Sequence, residues 1–213
     1  ILDMGVYMPA IVDYQEERAL SDLSFEELLK IGAVPDDTVL EKYRDKVKGI
    51  FLGHSHLDHI AAVPYLAKKY KCNIYGSPFT IEVLKAIMKD QKHVLSNKLI
   101  PLKLDSTFKV SPKLQVEFIS ITHSTLQCAL MAVHTPKGVI LYCNDFKLDN
   151  TPVMGLKPNY KRLKELGKEG VLCVIIETMY SQTIGKCPSE KVAREMLKEV
   201  MLDLDHKGKV IFV

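Results

Sequence analysis

His54-Ser55-His56-Leu57-Asp58-His59 packs three imidazoles and a carboxylate into six residues of a chain that has only seven histidines. The stretch follows Val47-Lys48-Gly49-Ile50-Phe51-Leu52-Gly53, whose apolar run reads as a buried strand, and it precedes Ile60 to Tyr70, which reads as a helix. Pro64 falls in the first turn of that helix, where a missing N–H is tolerated. In an extended segment residues two apart point the same way, so His54 and His56 can close on one metal. The turn into the helix then redirects Asp58 and His59 towards a second. One loop at the end of one strand predicts two neighbouring metal positions.

Two plainer readings compete with this one. Ser55 and Asp58 are ordinary residues at a helix start, so the loop could be a cap. Three histidines without a metal would need several polar partners in a small volume, and Phe51, Leu52 and Ile60 supply none. A purely structural metal would close tetrahedrally, usually with cysteines, and no cysteine lies near the loop.

Working outward, Asn73 to Gly76 reads as a short strand and Pro78 to about Lys89 as a helix with Phe79, Ile81, Leu84, Ile87 and Met88 on its apolar face. From about Lys98 to Asp145 the runs become short and β-rich: Leu99-Ile100, Phe108 to Val110, Leu114 to Ile121, Leu130 to His134 and Val139 to Cys143. With Thr135-Pro136-Lys137-Gly138 as a hairpin turn, this stretch predicts an antiparallel meander. Two more ligand candidates stand at strand ends here, His123 and Asp145, each of them unremarkable turn chemistry if taken alone. A helix near Lys161 to Leu166, a strand at Val171 to Ile176, a helix from Ser189 to about Leu204 and a strand near 209–213 complete an α/β alternation. Upstream, Ser24-Phe25-Glu26-Glu27 has capping-box spacing and opens a short helix within a long excursion from about 10 to 45.

The 213 residues are 47% apolar and 26% charged, ordinary values for a globular protein. No apolar stretch is long enough to span a bilayer and no signal pattern opens the chain, so the expected location is cytoplasmic, with no membrane partner. Five scattered cysteines without a CxxC pair predict reduced thiols, mostly buried in strands. A net charge of +3 does not diagnose a nucleic-acid partner. Ile1-Leu2-Asp3-Met4-Gly5 reads as the end of a buried strand, and Lys209 to Val213 as another strand without a polar tail, which together predict a fragment cut at both ends.

Leu2-Asp3-Met4-Gly5, the histidine loop, Thr122-His123-Ser124 and Asn144-Asp145-Phe146-Lys147-Leu148-Asp149 resemble, in order and spacing, the motifs of metallo-β-lactamase-fold nucleases of the β-CASP group, ribonucleases of the archaeal J type above all. The resemblance covers nearly the whole chain. It implies an α/β fold, the metallo-β-lactamase αββα sandwich, incomplete here and entering an inserted β-CASP α/β domain. Residues 1–176 would be the metallo-β-lactamase part and 177–213 the start of the insertion, with Cys173 to Thr178 as the crossing and Pro188-Ser189-Glu190-Lys191-Val192 opening its first helix. The resemblance also implies that His54, His56 and His123 hold one Zn2+, that Asp58 and His59 hold a second, and that Asp145 bridges them. Mn2+ is an alternative to zinc. Asp3 would steady the histidine loop from behind. The sequence departs from the pattern at Leu126, where the family commonly has Pro, and the family's last metal-binding histidine has no counterpart before Val213.

Such a site suits in-line hydrolysis of a phosphodiester, with Asp58 as the catalytic residue that orients or deprotonates the attacking water. The resemblance implies single-stranded RNA as partner, RNA processing and decay as the role, a homodimer for the full-length protein and no nucleotide cofactor. Lys68, Lys69 and Lys71, and Lys157, Lys161, Arg162, Lys164 and Lys168, lend support as a polyanion-binding surface. Competing readings are a small-molecule hydrolase of the same fold (a thioesterase or lactonase), a DNA-directed nuclease, and a metal-free RNA-binding or assembly subunit. His93, His134 and His206 lie outside the motifs and read as structural or solvated. The isolated chain is expected to bind metal weakly and cleave poorly.

Overall fold

The computed structural model describes residues 1–14 and 23–203. In chain order the elements are α1 (Met8–Tyr14), α2 (Phe25–Lys30), a 3-10 helix (Thr38–Lys46), β1 (Gly49–Leu52), α3 (Leu57–Ile60), α4 (Val63–Leu66), a 3-10 turn (Ala67–Lys69), β2 (Asn73–Gly76) and α5 (Pro78–Asp90). Then come β3 (Leu99–Pro101), β4 (Ser106–Ser111), β5 (Leu114–Ser120), β6 (Ala129–Thr135), β7 (Gly138–Cys143), α6 (Tyr160–Glu169), β8 (Val171–Ile176), α7 (Glu190–Lys198) and a π-helical turn (Glu199–Asp203).

The strands form two sheets. One is parallel, in the order β1-β2-β3, and the other runs β4-β5-β6-β7-β8, antiparallel except for the parallel pair β7 and β8. Alternation decides what each residue faces. Ile50 and Leu52 of β1 pack outward under the helices, while Phe51 between them points at the opposite sheet. On β5 and β6, Val116, Phe118, Ala129 and Met131 meet Phe51 and Tyr75 between the sheets, and Ile119, Leu130 and Ala132 turn outward to Leu166 of α6. The inter-sheet layer is aromatic: Phe51 stacks on Tyr75 at 4.7 Å and meets Phe118 edge-on at 6.5 Å. The result is helices, sheet, sheet, helix, the αββα sandwich expected from the resemblance.

Several sequence expectations need correction. The helix expected over Ile60 to Tyr70 starts earlier and is broken into α3, α4 and a 3-10 turn. The break has a tertiary cause: Ala62 donates its N–H to the Met4 carbonyl at 3.1 Å instead of to its own helix, and Pro64 has no N–H to restart the ladder at once. Leu99-Ile100 belongs to β3, which pairs parallel with β2 rather than joining the meander. The long excursion expected from about 10 to 45 carries, besides the short helix expected there, α1 at its start and the 3-10 helix Thr38–Lys46 at its end. Cys128 and Cys143 are buried, but Cys173 and Cys187 are exposed and Cys72 lies between. The helix expected from Ser189 is α7 plus the π-helical turn; Leu204, His206 and the strand expected near 209–213 lie outside the described residues.

Other expectations hold. Ser24 and Glu27 form a reciprocal capping box on α2. Leu2 bridges Phe51 in parallel, so the first residues run as a strand-like strap beside β1. No described helix is long and apolar enough to cross a membrane.

Candidate metal centre

The chemistry-bearing residues gather at one end of the sandwich, beyond the carboxyl ends of β1, β5 and β7. That end is stitched across the two sheets: Ala129 at the start of β6 donates to the Gly53 carbonyl at 2.9 Å. Asn144 is buried behind Asp145 and donates to the Ala129 carbonyl at 2.9 Å. A Cβ on Gly53 would lie 1.8 Å from the Asn144 amide nitrogen, so only glycine lets the three strands converge here.

His54 and His56 leave β1 extended, as the spacing predicts, and His56 is the residue that precedes α3. Asp58 and His59 therefore sit inside the first turn of α3, which swings them away from the histidine pair. The loop is held from behind by the N-terminal strap. Met4 N–H donates to His59 O at 2.8 Å and Val6 N–H to Leu57 O at 3.2 Å. Between them, a Cβ on Gly5 would lie 1.6 Å from the Asp58 carbonyl oxygen.

Two donor groups result, His54, His56, His123 and Asp145 in one and Asp58, His59 and Asp145 in the other, with the ligand atoms of each within 4.8 Å of one another. His56 Nδ1 lies 3.1 Å from both His54 Nε2 and His123 Nε2. Asp145 Oδ2 lies 4.0 Å from His54 Nε2, 3.7 Å from His123 Nε2 and 3.6 Å from His59 Nε2. Asp58 Oδ2 is 3.6 Å from His59 Nε2. A tetrahedral cation with metal–nitrogen bonds of about 2.0–2.1 Å separates its ligands by about 3.3 Å, within the range seen here. Hydrogen bonding cannot explain the same geometry. One Nδ1 carries either a proton or a lone pair and cannot bond two facing nitrogens well, whereas three lone pairs converging on a cation are all satisfied. The donor set fits a metal.

Partners further out set the tautomers. Asp3 Oδ2 lies 2.8 Å from His59 Nδ1 and accepts the Tyr142 hydroxyl at 2.9 Å, while Asp3 Oδ1 accepts Gly53 N–H at 2.7 Å. Facing a carboxylate, His59 Nδ1 carries the proton, which leaves the Nε2 lone pair turned towards Asp58 and Asp145. Ser124 Oγ stands 3.3 Å from His56 Nε2, where its hydroxyl can either donate or accept.

The electrostatics suit cation binding. Burial, reinforced by the neighbouring His59, His123 and His56, drives the His54 pKa down to about 2, so this fully buried ring is a neutral donor. Burial also lowers His123, helped by His56 and opposed by Asp145. His59 goes the other way: burial pulls it down, but the Asp3 hydrogen bond and the charges of Asp3, Asp58 and Asp145 outweigh that and raise it. Burial and the Asp3 charge push the Tyr142 hydroxyl up, so it stays a donor. Burial does the same to the Cys128 thiol beside Asp145, which fits the expectation that no cysteine is a ligand.

All seven residues singled out by sequence, Asp3, His54, His56, Asp58, His59, His123 and Asp145, are thus brought together. Sequence reasoning missed Gly5, Gly53, Tyr142 and the supporting part of Asn144. The glycines carried a readable signal, since each flanks a motif at a strand end; Tyr142 carried none. His134 and His93 lie elsewhere, His134 at 3.0 Å from Glu117 and His93 edge-on to Tyr65.

The sequence pattern of the beta-lactamase superfamily domain matches residues 32–156. Ribonuclease J of Methanocaldococcus jannaschii is 42% identical over 214 aligned positions, covering 100% of this chain and 48% of that protein. Ribonuclease J of Pyrococcus abyssi is 40% identical over 204, covering 95% and 45%. The chain therefore spans about half the length of the curated relatives it matches. A crystal structure of a protein of unknown function from Enterococcus faecalis V583 superposes with a TM-score of 0.64 at 18% identity, over 94% of this chain and 51% of that one, a likeness of fold alone. With that fold and with His54, His56, Asp58, His59, His123 and Asp145 converging at one end of its sandwich, the chain belongs to the beta-lactamase superfamily, in its metallo-β-lactamase form.

Proposed function

We propose that this chain carries the catalytic centre of a metal-dependent ribonuclease that hydrolyses phosphodiester bonds of single-stranded RNA with two divalent ions, zinc or manganese. The observation that carries the reading is the Asp145 carboxylate, which belongs to both donor groups and so could be shared by two ions. The names of the relatives, ribonuclease J in both archaeal cases, support RNA as the substrate. The same reading puts the enzyme in cytoplasmic RNA processing and decay, as a 5′-to-3′ exonuclease, an endonuclease or both, and as a homodimer when full-length. It takes residues 177–213 as the start of an inserted domain.

His54, His56 and His123 with Asp145 would hold one ion, and Asp58 and His59 with Asp145 the other. Two ions so held would lower the pKa of a bound water and stabilise the charge that develops on the oxygens of the displacement. Asp58 has the most open carboxylate of the group, its side chain 48% exposed, and it would orient or deprotonate the attacking water. Asp3 keeps the proton on His59 Nδ1, and Ser124 can hydrogen-bond His56 Nε2 in either sense. Beside His123 opens a cleft of about 580 Å³ lined by Ser55, Phe79, Ser124, Leu126 and Glu190, wide enough for a nucleotide. Not all the basic residues expected to meet a polyanion are free to do so. Lys69 is bound to Asp37 at 2.7 Å and Arg162 is gathered by Glu117, Glu165 and Glu169. Lys157, Lys161, Lys164 and Lys168 are exposed.

The test is metal analysis and RNA cleavage by the complete natural protein, with Asp58→Ala beside it. About two ions per chain and a loss of cleavage of about 100-fold or more in the variant are expected. A metal-free active protein, or an undiminished Asp58→Ala enzyme, would refute the proposal. Hydrolysis of thioesters or lactones but not RNA would favour the small-molecule reading.

A further inference from the structure

Asp149 lies four residues beyond Asp145 and takes no part in either donor group, yet its side chain is fully buried. Its Oδ1 accepts the Ser189 hydroxyl at 2.6 Å and the Thr151 N–H at 2.9 Å, and its Oδ2 accepts the Glu190 N–H at 2.7 Å. Lys147 Nζ stands 3.7 Å away. The carboxylate is thus the junction between the segment that follows Asp145 and the first turn of α7. Glu190 returns a second link, accepting the Val153 N–H at 2.8 Å.

These bonds matter because they tie the N-terminus of α7 directly to the segment that follows Asp145. α7 also forms one wall of the cleft beside the metal centre: Glu190 and Ala193 from the helix, with Val153 and Met154, face Ser55, His123 and Ser124. The middle of the same segment is fixed by Lys147, whose N–H donates to the Thr122 carbonyl at 2.7 Å, next to His123. Asp145 and Asp149 therefore stand at the two ends of a five-residue brace, one in the metal centre and the other holding the cleft wall.

We propose that Asp149 is a positioning residue that fixes α7 as the outer wall of the substrate cleft, and so governs binding of the RNA strand without contributing to the chemical step. The proposal rests on the ribonuclease reading above. It extends to Ser189, whose hydroxyl is the partner through which the carboxylate grips the helix.

The experiment uses the complete natural protein and a single-stranded RNA oligonucleotide, with Asp149→Ala, Asp149→Asn, Ser189→Ala and Ser189→Thr. For Asp149→Ala, KM rises by about tenfold while kcat stays within about twofold and the metal content is unchanged. Asp149→Asn, which keeps one acceptor oxygen, falls between this variant and wild type. Ser189→Ala raises KM and Ser189→Thr, which restores the hydroxyl, returns it to the wild-type value; this pair stands even if the Asp149 variants fail to fold. Amide exchange over 190–198 accelerates by about tenfold in Asp149→Ala, with 54–59 unaffected. Faster exchange with an unchanged KM overturns the proposal, as does a joint fall in kcat and metal content. If the wild-type protein does not cleave RNA, the ribonuclease reading fails by itself. Asp149 is then judged by exchange alone, and unaltered exchange over 190–198 overturns its role.

Discussion

Replacing Asp3 by Asn keeps the shape of the side chain and removes one acceptor from a place where two donors meet. With the amide oxygen left on Gly53 N–H, the amide nitrogen faces both the Tyr142 hydroxyl and His59 Nδ1. The hydroxyl can rotate and accept. His59 has no such freedom, and its proton must move to Nε2, the atom that lies 3.6 Å from both Asp58 and Asp145. A hydrogen bond to a charged partner is worth about 1.5–3 kcal/mol, so affinity at the Asp58–His59–Asp145 position falls by about 10- to 150-fold. His54, His56 and His123 have no contact with Asp3, so affinity at their position stays within about threefold of wild type. The assay is competition for metal against a chelator, with circular dichroism to confirm that the fold is intact. Two equally weakened positions, or none, would show that Asp3 does not act through the His59 tautomer.

Other substitutions test other parts of the structure. Gly5→Ala drives a Cβ into the Asp58 carbonyl, backbone against backbone, and should destabilise by roughly 3 kcal/mol or more in urea unfolding. A loss under about 1 kcal/mol would mean that the strap and loop are not in rigid contact. Among the described residues, Arg162→Ala leaves the buried Glu117 with only His134 as an ionic partner and should cost about 3 kcal/mol, whereas Lys161→Ala on the exposed side of the same helix should cost under about 0.5 kcal/mol. The buried Asp149 is held down to about 2 from 3.8 by its hydrogen bonds to Ser189, Glu190 and Thr151, against the opposing effect of burial. A lowered carboxylate stabilises the fold fully above its unfolded pKa and loses that contribution as pH falls through its folded one. The stability gap between wild type and Asp149→Asn should therefore be constant above about pH 5 and close towards pH 2, as read by pH-dependent urea unfolding. A gap that widens on acidification would contradict the assignment.

The site was more legible in the sequence than the fold around it. His54, His56, Asp58 and His59 are local, and the period-two geometry of a strand followed by the first turn of a helix already separates them into two directions. Asp145 and His123 were readable only as strand-end residues, and the resemblance was needed to place them together. Misread elements share one cause, a long-range partner that no window of sequence contains. The helix after the loop breaks because Met4 captures the Ala62 N–H from more than fifty residues upstream. β3 joins the parallel sheet because alternation shows that a strand has two faces and is silent on which sheet adopts it. Tyr142 reads as one more apolar strand residue until the opposite sheet brings Asp3 within reach of its hydroxyl.

That hydroxyl contact has a consequence for the order in which the molecule comes together. Asp3 and His59 are 56 residues apart and Asp3 and Tyr142 are 139 apart, so Asp3 gains its full set of partners only after both sheets have docked. Closing such long loops is slow and entropically costly compared with the local contacts of a helix or hairpin. In small zinc modules, by contrast, neighbouring ligands gather an ion and the chain folds around it. Here the ligands come from three separate stretches of chain, and an ion offered to the nascent polypeptide would find only the flexible loop at 54–59. A metal centre built from these stretches would form late in folding, so an excess of a divalent cation during refolding should leave the folding rate unchanged while slowing unfolding.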